Sequence, residues 1–184
     1  MDAFESLIAM LLRHEGYWVT PSYKVNLTKE EKVSIERPSS PRWEIDLLAY
    51  KPSTSDLLAI ECKSYLDSTG VDFRNGAFRF PTRYKLFTDK HLWRVVRERL
   101  SGQLLESGTI LPKTTINLCL AIGKRAGKCD QKGMESHFAE QSWKLFQPEW
   151  IIKQLEKAAR QGYENDIAFV VAKLLQRMKS SEEP

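Results

Sequence analysis

Two apolar segments joined by a four-residue turn constrain the fold of this chain more strongly than any other feature. The segments are "WEIDLLAYK" at residues 43–51 and "DLLAIECKS" at residues 56–64, and "PSTS" connects them. Short apolar runs bounded by turn residues are typical of buried strands. We therefore predict two strands that pair through the short turn.

The other hydrophobic patterns predict a single compact α/β domain. The chain has 184 residues, of which 42% are hydrophobic, so it can bury one substantial core. It has no apolar run long enough to cross a membrane, and we expect a cytoplasmic protein. The predicted elements are an amphipathic helix at 2–14, a strand at 18–27, a loop at 28–42, a helix at 88–107 with Thr88 as its N-cap, a buried strand at 114–123, and helices at 148–160 and from 167 onward.

Charged residues occur at the end of the second strand and within the first. Side chains alternate between the two faces of a strand, so Glu61 and Lys63 are expected on one face. The same alternation places Asp46 on the opposite face from Ile45 and Leu47. If the strands pair through the turn, Asp46 reaches the neighbourhood of Glu61 and Lys63.

Two carboxylates and an ammonium group on a buried sheet need partners, because burial of an unpaired charge costs several kcal/mol. One explanation is a divalent cation such as Mg²⁺, which takes oxygen ligands and is usually held by one or two carboxylates. A lysine beside such an ion can orient a water molecule and stabilise charge that develops on a phosphate. The alternative is a salt bridge between Lys63 and either acid, without catalysis.

The order of these residues resembles the motif of the PD-(D/E)XK nucleases, the restriction-endonuclease-like family. In that motif an acid on one strand is followed by a turn and by a strand that ends in an acid, any residue and a lysine. Here the matching residues are Asp46 and "Glu61-Cys62-Lys63", and Glu61 comes fifteen positions after Asp46. The predicted helix, three strands, helix and strand also match the common core of the family. The resemblance covers roughly residues 2–123.

The resemblance implies an α/β fold with a restriction-endonuclease-like core. We expect this core at residues 1–125, with an inserted hairpin at residues 71–80. Residues 126–184 would form a mainly helical C-terminal extension packed on the same domain.

The resemblance also implies roles for individual residues. Asp46 and Glu61 would be metal ligands, with the backbone carbonyl of Cys62 as a further ligand. Lys63 would be the catalytic lysine, and Mg²⁺ or Mn²⁺ the cofactor. Many members add a catalytic glutamate from the first helix, and Glu5 is the matching residue. The alternative for Glu5 is structural, because the helix dipole favours an acid in the first helical turn.

Two positions depart from the family pattern. Ile45 stands where a proline often precedes the first acid, and this proline is the most dispensable part of the motif. Some exonuclease-like relatives carry a glutamine and a tyrosine on the helix after the motif. This chain has Gln103, but Ser107 stands where the tyrosine would be. The helix therefore gives no support for an exonuclease-like assignment.

The segment "VDFRNGAFRF" at residues 71–80 predicts a β-hairpin. An Asn-Gly pair between alternating apolar residues is a strong signal for a two-residue hairpin turn. Pairing around this turn would set Phe73 opposite Phe78 on an apolar side. One step further from the turn, Val71 would oppose Phe80. The other side of the hairpin is mostly cationic.

Positive charge is concentrated in and around this hairpin. The whole chain has a net charge of +4, whereas residues 70–100 contain eight basic and three acidic residues. A polyanion partner would need such a cluster next to the candidate site. The alternative is a stabilising flap whose arginines are only solvated. The candidate contacts to a nucleic-acid backbone are Arg74, Arg79, Arg83 and Lys85 near the hairpin, and Lys124 and Arg125 in the basic loop "GKRAGKCDQKG".

These residues predict a metal-dependent phosphodiesterase that cuts DNA, with endonuclease action favoured over exonuclease action. RNA or branched DNA is the alternative substrate, and a non-catalytic nucleic-acid-binding module is the alternative outside the enzyme class. Acid–base catalysis on a sugar substrate by Asp46 and Glu61 would leave Lys63 without a role. We do not expect ATP as a partner, since the sequence has no phosphate-binding loop, and we do not expect a membrane, since it has no apolar run long enough to cross one. Because one site cuts one strand, cutting both strands would require a homodimer, for which the C-terminal helices offer an interface.

Overall fold

The computed structural model describes residues 1–39, 42–162 and 165–181. Within these ranges, seven α-helices and seven strands build a mixed α/β fold. Five of the strands form the central sheet, and the other two form a separate hairpin. None of the described helices is long and apolar enough to cross a membrane.

The positions of the elements agree with most of the sequence predictions. In chain order they are α1 (Ala3–His14), β1 (Trp18–Val25), α2 (Lys29–Ser34), β2 (Trp43–Lys51), β3 (Asp56–Lys63), β4 (Phe73–Arg74), β5 (Ala77–Phe78), α3 (Lys85–Thr88), α4 (Lys90–Glu106), β6 (Thr115–Ile122), α5 (Gln131–Glu140), β7 (Lys144–Phe146), α6 (Pro148–Ala159) and α7 (Ile167–Ser181). The predicted helix at 2–14 and the strands at 43–51 and 56–64 are confirmed to within one residue.

The central sheet has the strand order β1-β2-β3-β6-β7. β1, β2 and β3 pair antiparallel, whereas β6 runs parallel to β3 and β7 runs parallel to β6. The connection from β3 to β6 includes α4, since parallel neighbours need a long crossover. β2 and β3 pair from Leu47 with Ile60 to Lys51 with Asp56, so the predicted pairing through the turn is confirmed.

Apolar side chains cover both faces of the sheet, which explains why β3 is a continuous apolar run rather than an alternating one. Leu57 and Ala59 pack in the cluster that contains the buried side chains of α4. Leu58 and Ile60 pack in the second cluster, which contains the buried side chains of α1. The sheet therefore lies between two helical layers.

The predicted loop at residues 28–42 is wrong over the part that forms α2. The Thr28 hydroxyl accepts the backbone N–H of Glu31, and the Glu31 carboxylate accepts the N–H of Thr28. This capping box is a sequence signal for a helix start, and here it prevails over the polar composition of the segment. Residues 40 and 41 of the predicted loop lie outside the described residues.

The start of the long helix also differs from the prediction. Asp89, rather than Thr88, caps α4, because its carboxylate accepts the N–H of Leu92. Thr88 ends the preceding short helix, and its hydroxyl donates to the carbonyl of Tyr84. Threonine and aspartate are both good capping residues, so composition does not distinguish these adjacent positions.

The described residues 126–162 and 165–181 contribute one edge strand and three helices. β7 pairs with β6, so the central sheet continues into the region that was expected as an extension. The predicted helices at 148–160 and from 167 onward are confirmed as α6 and α7. The sequence did not indicate α5 or β7: α5 buries two residues, Met134 and Phe138, and β7 is three residues long.

The hairpin forms as predicted at its turn and differs at its base. Phe73 pairs with Phe78, as expected. The predicted pairing of Val71 with Phe80 is wrong, because Val71 forms a parallel bridge with Arg125 in the loop after β6. Phe80 is instead 44% exposed. The base of the hairpin is therefore attached to the end of the central sheet, and Phe80 faces solvent.

Candidate active site

The candidate site lies where β2 and β3 separate. Their backbone pairing extends to Leu47 and Ile60 and then gives way to a side-chain contact. There the Asp46 carboxylate accepts the backbone N–H of Cys62, with 2.7 Å between Oδ2 and N. The Asp46 carboxylate thus replaces a backbone carbonyl as the acceptor for the Cys62 N–H, at the point where the two strands separate.

The predicted alternation along β2 fails at Asp46. Ile45 packs in the same cluster as Leu48 and Tyr50, although strict alternation would put it on the other face. The pairing of β1 with β2 is interrupted at the same place: Pro21 pairs with Leu47 and Tyr23 with Ile45, and the intervening Ser22 has a φ of 49°. A left-handed residue breaks the pleat of a strand. This distortion of β1 adjoins the position where Asp46 turns towards β3.

Glu61 and Lys63 lie side by side at the C-terminal end of β3, away from the turn that joins β2 to β3. Their charged groups are 3.5 Å apart, from Nζ of Lys63 to Oε2 of Glu61. The two side chains are 21% and 18% exposed for Lys63 and Glu61, respectively. The salt bridge considered from the sequence is therefore present in the structure, at a site that solvent can reach.

The pKa values of both acids at this site are raised, chiefly by burial. Burial, followed by the charge of Asp46, raises the pKa of Glu61 from its ordinary 4.5 to about 7 against the opposing effect of Lys63. Burial also raises the pKa of Asp46, although the Cys62 N–H and Lys63 favour its charged form. Burial alone would lower the pKa of Lys63, but the charges of Glu61 and Asp46 outweigh it and raise that pKa. One lysine does not balance two acids, so the site favours an additional cation.

Glu5 lies beside this pair and has a structural partner of its own. Its carboxylate accepts the N–H of Asp2 at 3.1 Å, while the Asp2 carboxylate accepts the N–H of Glu5, which completes a capping box for α1. Burial raises the pKa of Glu5, and the charge of Asp46 contributes to the increase. The structural role of Glu5 at the start of α1 is therefore confirmed, whereas its catalytic role stays a prediction.

The backbone of Cys62 is oriented towards Asp46. In a strand, the N–H and C=O groups of one residue point to the same neighbouring strand. Since the Cys62 N–H reaches Asp46, the Cys62 carbonyl is directed to the same side. This direction suits the predicted role of the carbonyl as a metal ligand.

In the described part of the chain, no group of three or more histidine, cysteine, aspartate or glutamate side chains is arranged to hold a metal ion. The donors at the candidate site are two carboxylates and one carbonyl. This set fits Mg²⁺, which is commonly bound through one or two carboxylates and keeps several water ligands.

Glu61→Gln is expected to remove part of the pH dependence of stability in metal-free protein. The pKa of Glu61 is about 7 in the folded chain and ordinarily 4.5, so the folded state binds more protons between these values. Its stabilising contribution is complete below the lower value and is lost as the pH rises through about 7. Thermal unfolding in EDTA on either side of this window should show a smaller loss of Tm at high pH for the variant than for wild type.

The control for this prediction is Glu140→Gln, which changes an exposed glutamate of α5 and should retain the wild-type pH dependence. Equal pH dependence of wild type and Glu61→Gln would contradict the assigned environment of Glu61.

The hairpin arginines are partly engaged by a buried acid. Asp72 is 6% exposed and accepts two hydrogen bonds from Arg74, at 2.7 and 2.6 Å. Arg79 makes a longer contact of 3.4 Å with the same carboxylate and remains 60% exposed. Arg74 therefore holds Asp72 in place, whereas Arg79 offers most of its guanidinium to solvent.

The remaining candidate cations also differ in how far other residues engage them. Arg79 and Arg83 lie against the ring of the exposed Phe80, with 5.2 and 5.0 Å from Cζ to the ring centroid. Lys85 is exposed at the start of α3. Arg125 is held by Glu149 of α6, and this contact lowers the pKa of Glu149 to about 2. Lys124, next to it, donates to the carbonyl of Leu66 at 3.2 Å.

Sequence reasoning missed two residues that shape the site. Gly123 donates its N–H to the carbonyl of Lys63 at 3.0 Å, and a Cβ at this glycine would lie 2.5 Å from the carbonyl oxygen of Ser64. Tyr65 has a φ of 45°, and its interaction with Lys63 helps to raise the pKa of that lysine. No pattern marks Tyr65, but a glycine directly after a buried strand is a signal for close backbone approach.

Comparison with protein-family models, curated proteins and solved structures gave no match for this chain. The chemical interpretation of the site therefore depends on its geometry: two acids with raised pKa values, a lysine that contacts one of them, and a backbone group aimed at the other.

Proposed function

We propose that this chain is a metal-dependent nuclease that hydrolyses phosphodiester bonds in DNA. In this proposal the mixed α/β fold is a restriction-endonuclease-like core, in which α1, β1, β2, β3, α4 and β6 follow the order of the family core. Asp46, Glu61 and Lys63 are its catalytic residues, with Glu5 in support.

The proposal rests on one observation: Asp46, Glu61 and Lys63 lie close together where β2 and β3 separate. Asp46 reaches the backbone of Cys62 at 2.7 Å, and Lys63 lies 3.5 Å from Glu61. A salt bridge alone would need one acid, yet here two acids interact with the single lysine Lys63. Burial is the main cause of the raised pKa values of both acids, and the charge of Asp46 adds to the increase at Glu61.

Asp46, Glu61 and the carbonyl of Cys62 would hold Mg²⁺ or Mn²⁺. Such an ion would neutralise the acids, polarise the phosphate and lower the pKa of bound water. A divalent ion near Glu61 would also keep that carboxylate ionised at neutral pH, because opposite charge favours the charged form.

Lys63 acts on the phosphate as a charged donor. Its raised pKa makes it an ammonium group at neutral pH in the structure, so it donates hydrogen bonds rather than accepting a proton. An ammonium aimed at the position where charge develops on the phosphate stabilises the transition state more than the ground state. Its contact with Glu61 fixes the direction of its flexible side chain.

The DNA-contacting surface in this proposal is the hairpin and the turn that follows it. Arg79 and Arg83 flank Phe80 and are exposed, and Lys85 continues the basic surface. Arg74 contributes indirectly by holding Asp72, and Lys124 lies at the margin of this surface. Such contacts position a phosphate backbone without reading its sequence.

Arg79→Ala combined with Arg83→Ala is expected to weaken DNA binding and its salt dependence. Each lost phosphate contact lowers the slope of log K against log salt by about 0.9 for duplex DNA, so the double variant should lose about 2 units of slope. Fluorescence anisotropy with a labelled duplex and Ca²⁺, over a range of salt concentrations, measures this slope.

The matched control for the hairpin variant removes two other exposed cations, by Arg13→Ala with Lys29→Ala. It should keep the wild-type slope. A hairpin variant with an unchanged slope would show that the hairpin arginines do not contact DNA.

The experiment that tests the proposed function presents end-labelled duplex DNA, single-stranded DNA, branched DNA and RNA to the protein with Mn²⁺, beside the Asp46→Asn variant. Internal cuts in duplex DNA by wild type alone are the expected result. Cleavage confined to RNA or branched DNA would support the alternative substrates. Tight binding without cleavage of any substrate would support the non-catalytic module instead.

A further inference from the structure

The C-terminal helix α7 exposes a row of large apolar side chains to solvent. The row is continued by Ile152 of the neighbouring helix α6. The members are Ile152 (55% exposed), Ile167 (83%), Val171 (48%), Leu174 (56%), Leu175 (55%) and Met178 (62%). Single exposed apolar residues are normal, but a contiguous row of this kind marks an interaction surface.

The spacing of this row is that of a helix-packing seam. Ile167, Val171, Leu174 and Met178 follow one another at intervals of four, three and four residues, which is the heptad pattern of paired helices. α7 also has a buried side, where Phe169 is 1% exposed and packs with His14. The exposed row is therefore a second apolar side of this helix, and an apolar stripe of a helix is normally buried.

An open groove of about 500 Å³ lies between α6 and α7, and four members of the row line it: Ile152, Ile167, Val171 and Leu175. Its floor is apolar, with contributions from Leu7 of α1, Leu155 of α6 and Ala172 of α7. The charged side chains Glu156 and Arg160 lie on its lining. A groove of this shape accepts the ridge of another helix.

We propose that α6 and α7 form a homodimer interface by packing against α6 and α7 of a second copy of this chain. The same surface supplies both parts that such packing needs: Leu174 and Met178 are exposed on α7 outside the groove, and the other four members of the row line the groove. A two-fold interface requires this kind of self-complementary surface. The result would be a four-helix arrangement with the apolar row at its centre.

The size and charge of the surface fit a second copy. The six exposed side chains present several hundred Å², on the order of the roughly 800 Å² that each partner buries in a standard interface. Two cations, Lys173 and Arg177, lie within the helical span of the row. Lys173 points to the end of α6, where it donates to the carbonyls of Ala159 and Gln161. The six members of the row are all apolar, and interface cores are usually depleted in charged residues.

This interface does not depend on the proposed catalysis. It lies on the helical layer formed by α1, α6 and α7, whereas the hairpin and α4 pack on the other face of the sheet. Loss of the dimer and loss of nuclease activity are therefore separate results.

Light scattering coupled to size-exclusion chromatography tests the proposal on the full chain. Wild type is expected at twice the chain mass of 21.3 kDa, and Leu174→Glu at the mass of one chain. Leu174→Met should remain dimeric, because it keeps an apolar side chain of similar size. Leu111→Glu is the matched control, since Leu111 is 57% exposed but lies outside α6 and α7, and it should also remain dimeric.

Each outcome decides the proposal. A wild-type monomer at about 100 µM, a concentration far above the Kd of a specific interface, would overturn it. A Leu174→Glu protein that remains dimeric, with unchanged circular dichroism, would also overturn it. Equal dissociation of the Leu111→Glu control would place the interface elsewhere.

Discussion

Replacing Lys63 with methionine is expected to slow DNA cleavage by about 100- to 1,000-fold, the usual effect of removing one donor that stabilises charge in the transition state. Methionine keeps an unbranched chain at this position but lacks the ammonium group that lies 3.5 Å from Glu61. Metal binding should be retained, since both carboxylates remain. Single-turnover cleavage of a labelled duplex, with Mn²⁺ titrated in parallel, separates the two effects.

The control for the lysine prediction is Lys29→Met, which removes an exposed lysine at the start of α2 and should cut DNA at the wild-type rate. If Lys63→Met cuts as fast as wild type, Lys63 is only the salt-bridge partner of Glu61.

Asp46→Asn is expected to abolish measurable cleavage by weakening the metal site. Removing a residue that hydrogen-bonds to a metal ligand costs about 10- to 100-fold in metal affinity, and removing the ligand itself should cost more. The fold should survive, because the asparagine side-chain oxygen can still accept the N–H of Cys62. Calorimetric titration with Mn²⁺ in the absence of DNA measures the affinity directly.

Asp67→Asn is the matched control for the metal site, since Asp67 is an exposed acid in the segment that follows Lys63. It should bind Mn²⁺ as wild type does. An Asp46→Asn protein with wild-type affinity would exclude Asp46 as a metal ligand.

Long apolar runs made the centre of the fold predictable. β2 and β3 are buried on both sides, so their residues carry a strong signal that does not depend on neighbouring elements. The short turn then determines that they pair, and this places Asp46 near Glu61 and Lys63. The proximity of the candidate site residues therefore follows from local sequence alone.

The details of the site depend on contacts that are distant in sequence. The left-handed Ser22 of β1 adjoins the position where Asp46 leaves the regular pattern, and no pattern within β2 indicates it. Arg125 is held by Glu149, a residue of α6, so its engagement could not be predicted from the basic loop. The base of the hairpin likewise pairs Val71 with Arg125 rather than with Phe80.

Short or weakly apolar elements were also beyond prediction. α5 buries Met134 and Phe138 and contains Gly133, so too few apolar residues recur at helical spacing to predict a helix there. α2 carries a clear capping signal at Thr28 and Glu31, yet it buries none of its residues. For such elements, capping chemistry is more informative than hydrophobic periodicity.

The measurement that tests the central claim most directly is the cleavage of supercoiled plasmid by wild type, Asp46→Asn and Lys63→Met, with Mg²⁺ or Mn²⁺ and with EDTA. The account predicts nicked or linear plasmid with wild type and metal, and intact plasmid with EDTA or with either variant. Wild-type protein that is folded and binds Mn²⁺, yet leaves the plasmid intact with both metals, would contradict it. Equal cleavage by wild type and both variants would contradict it as well.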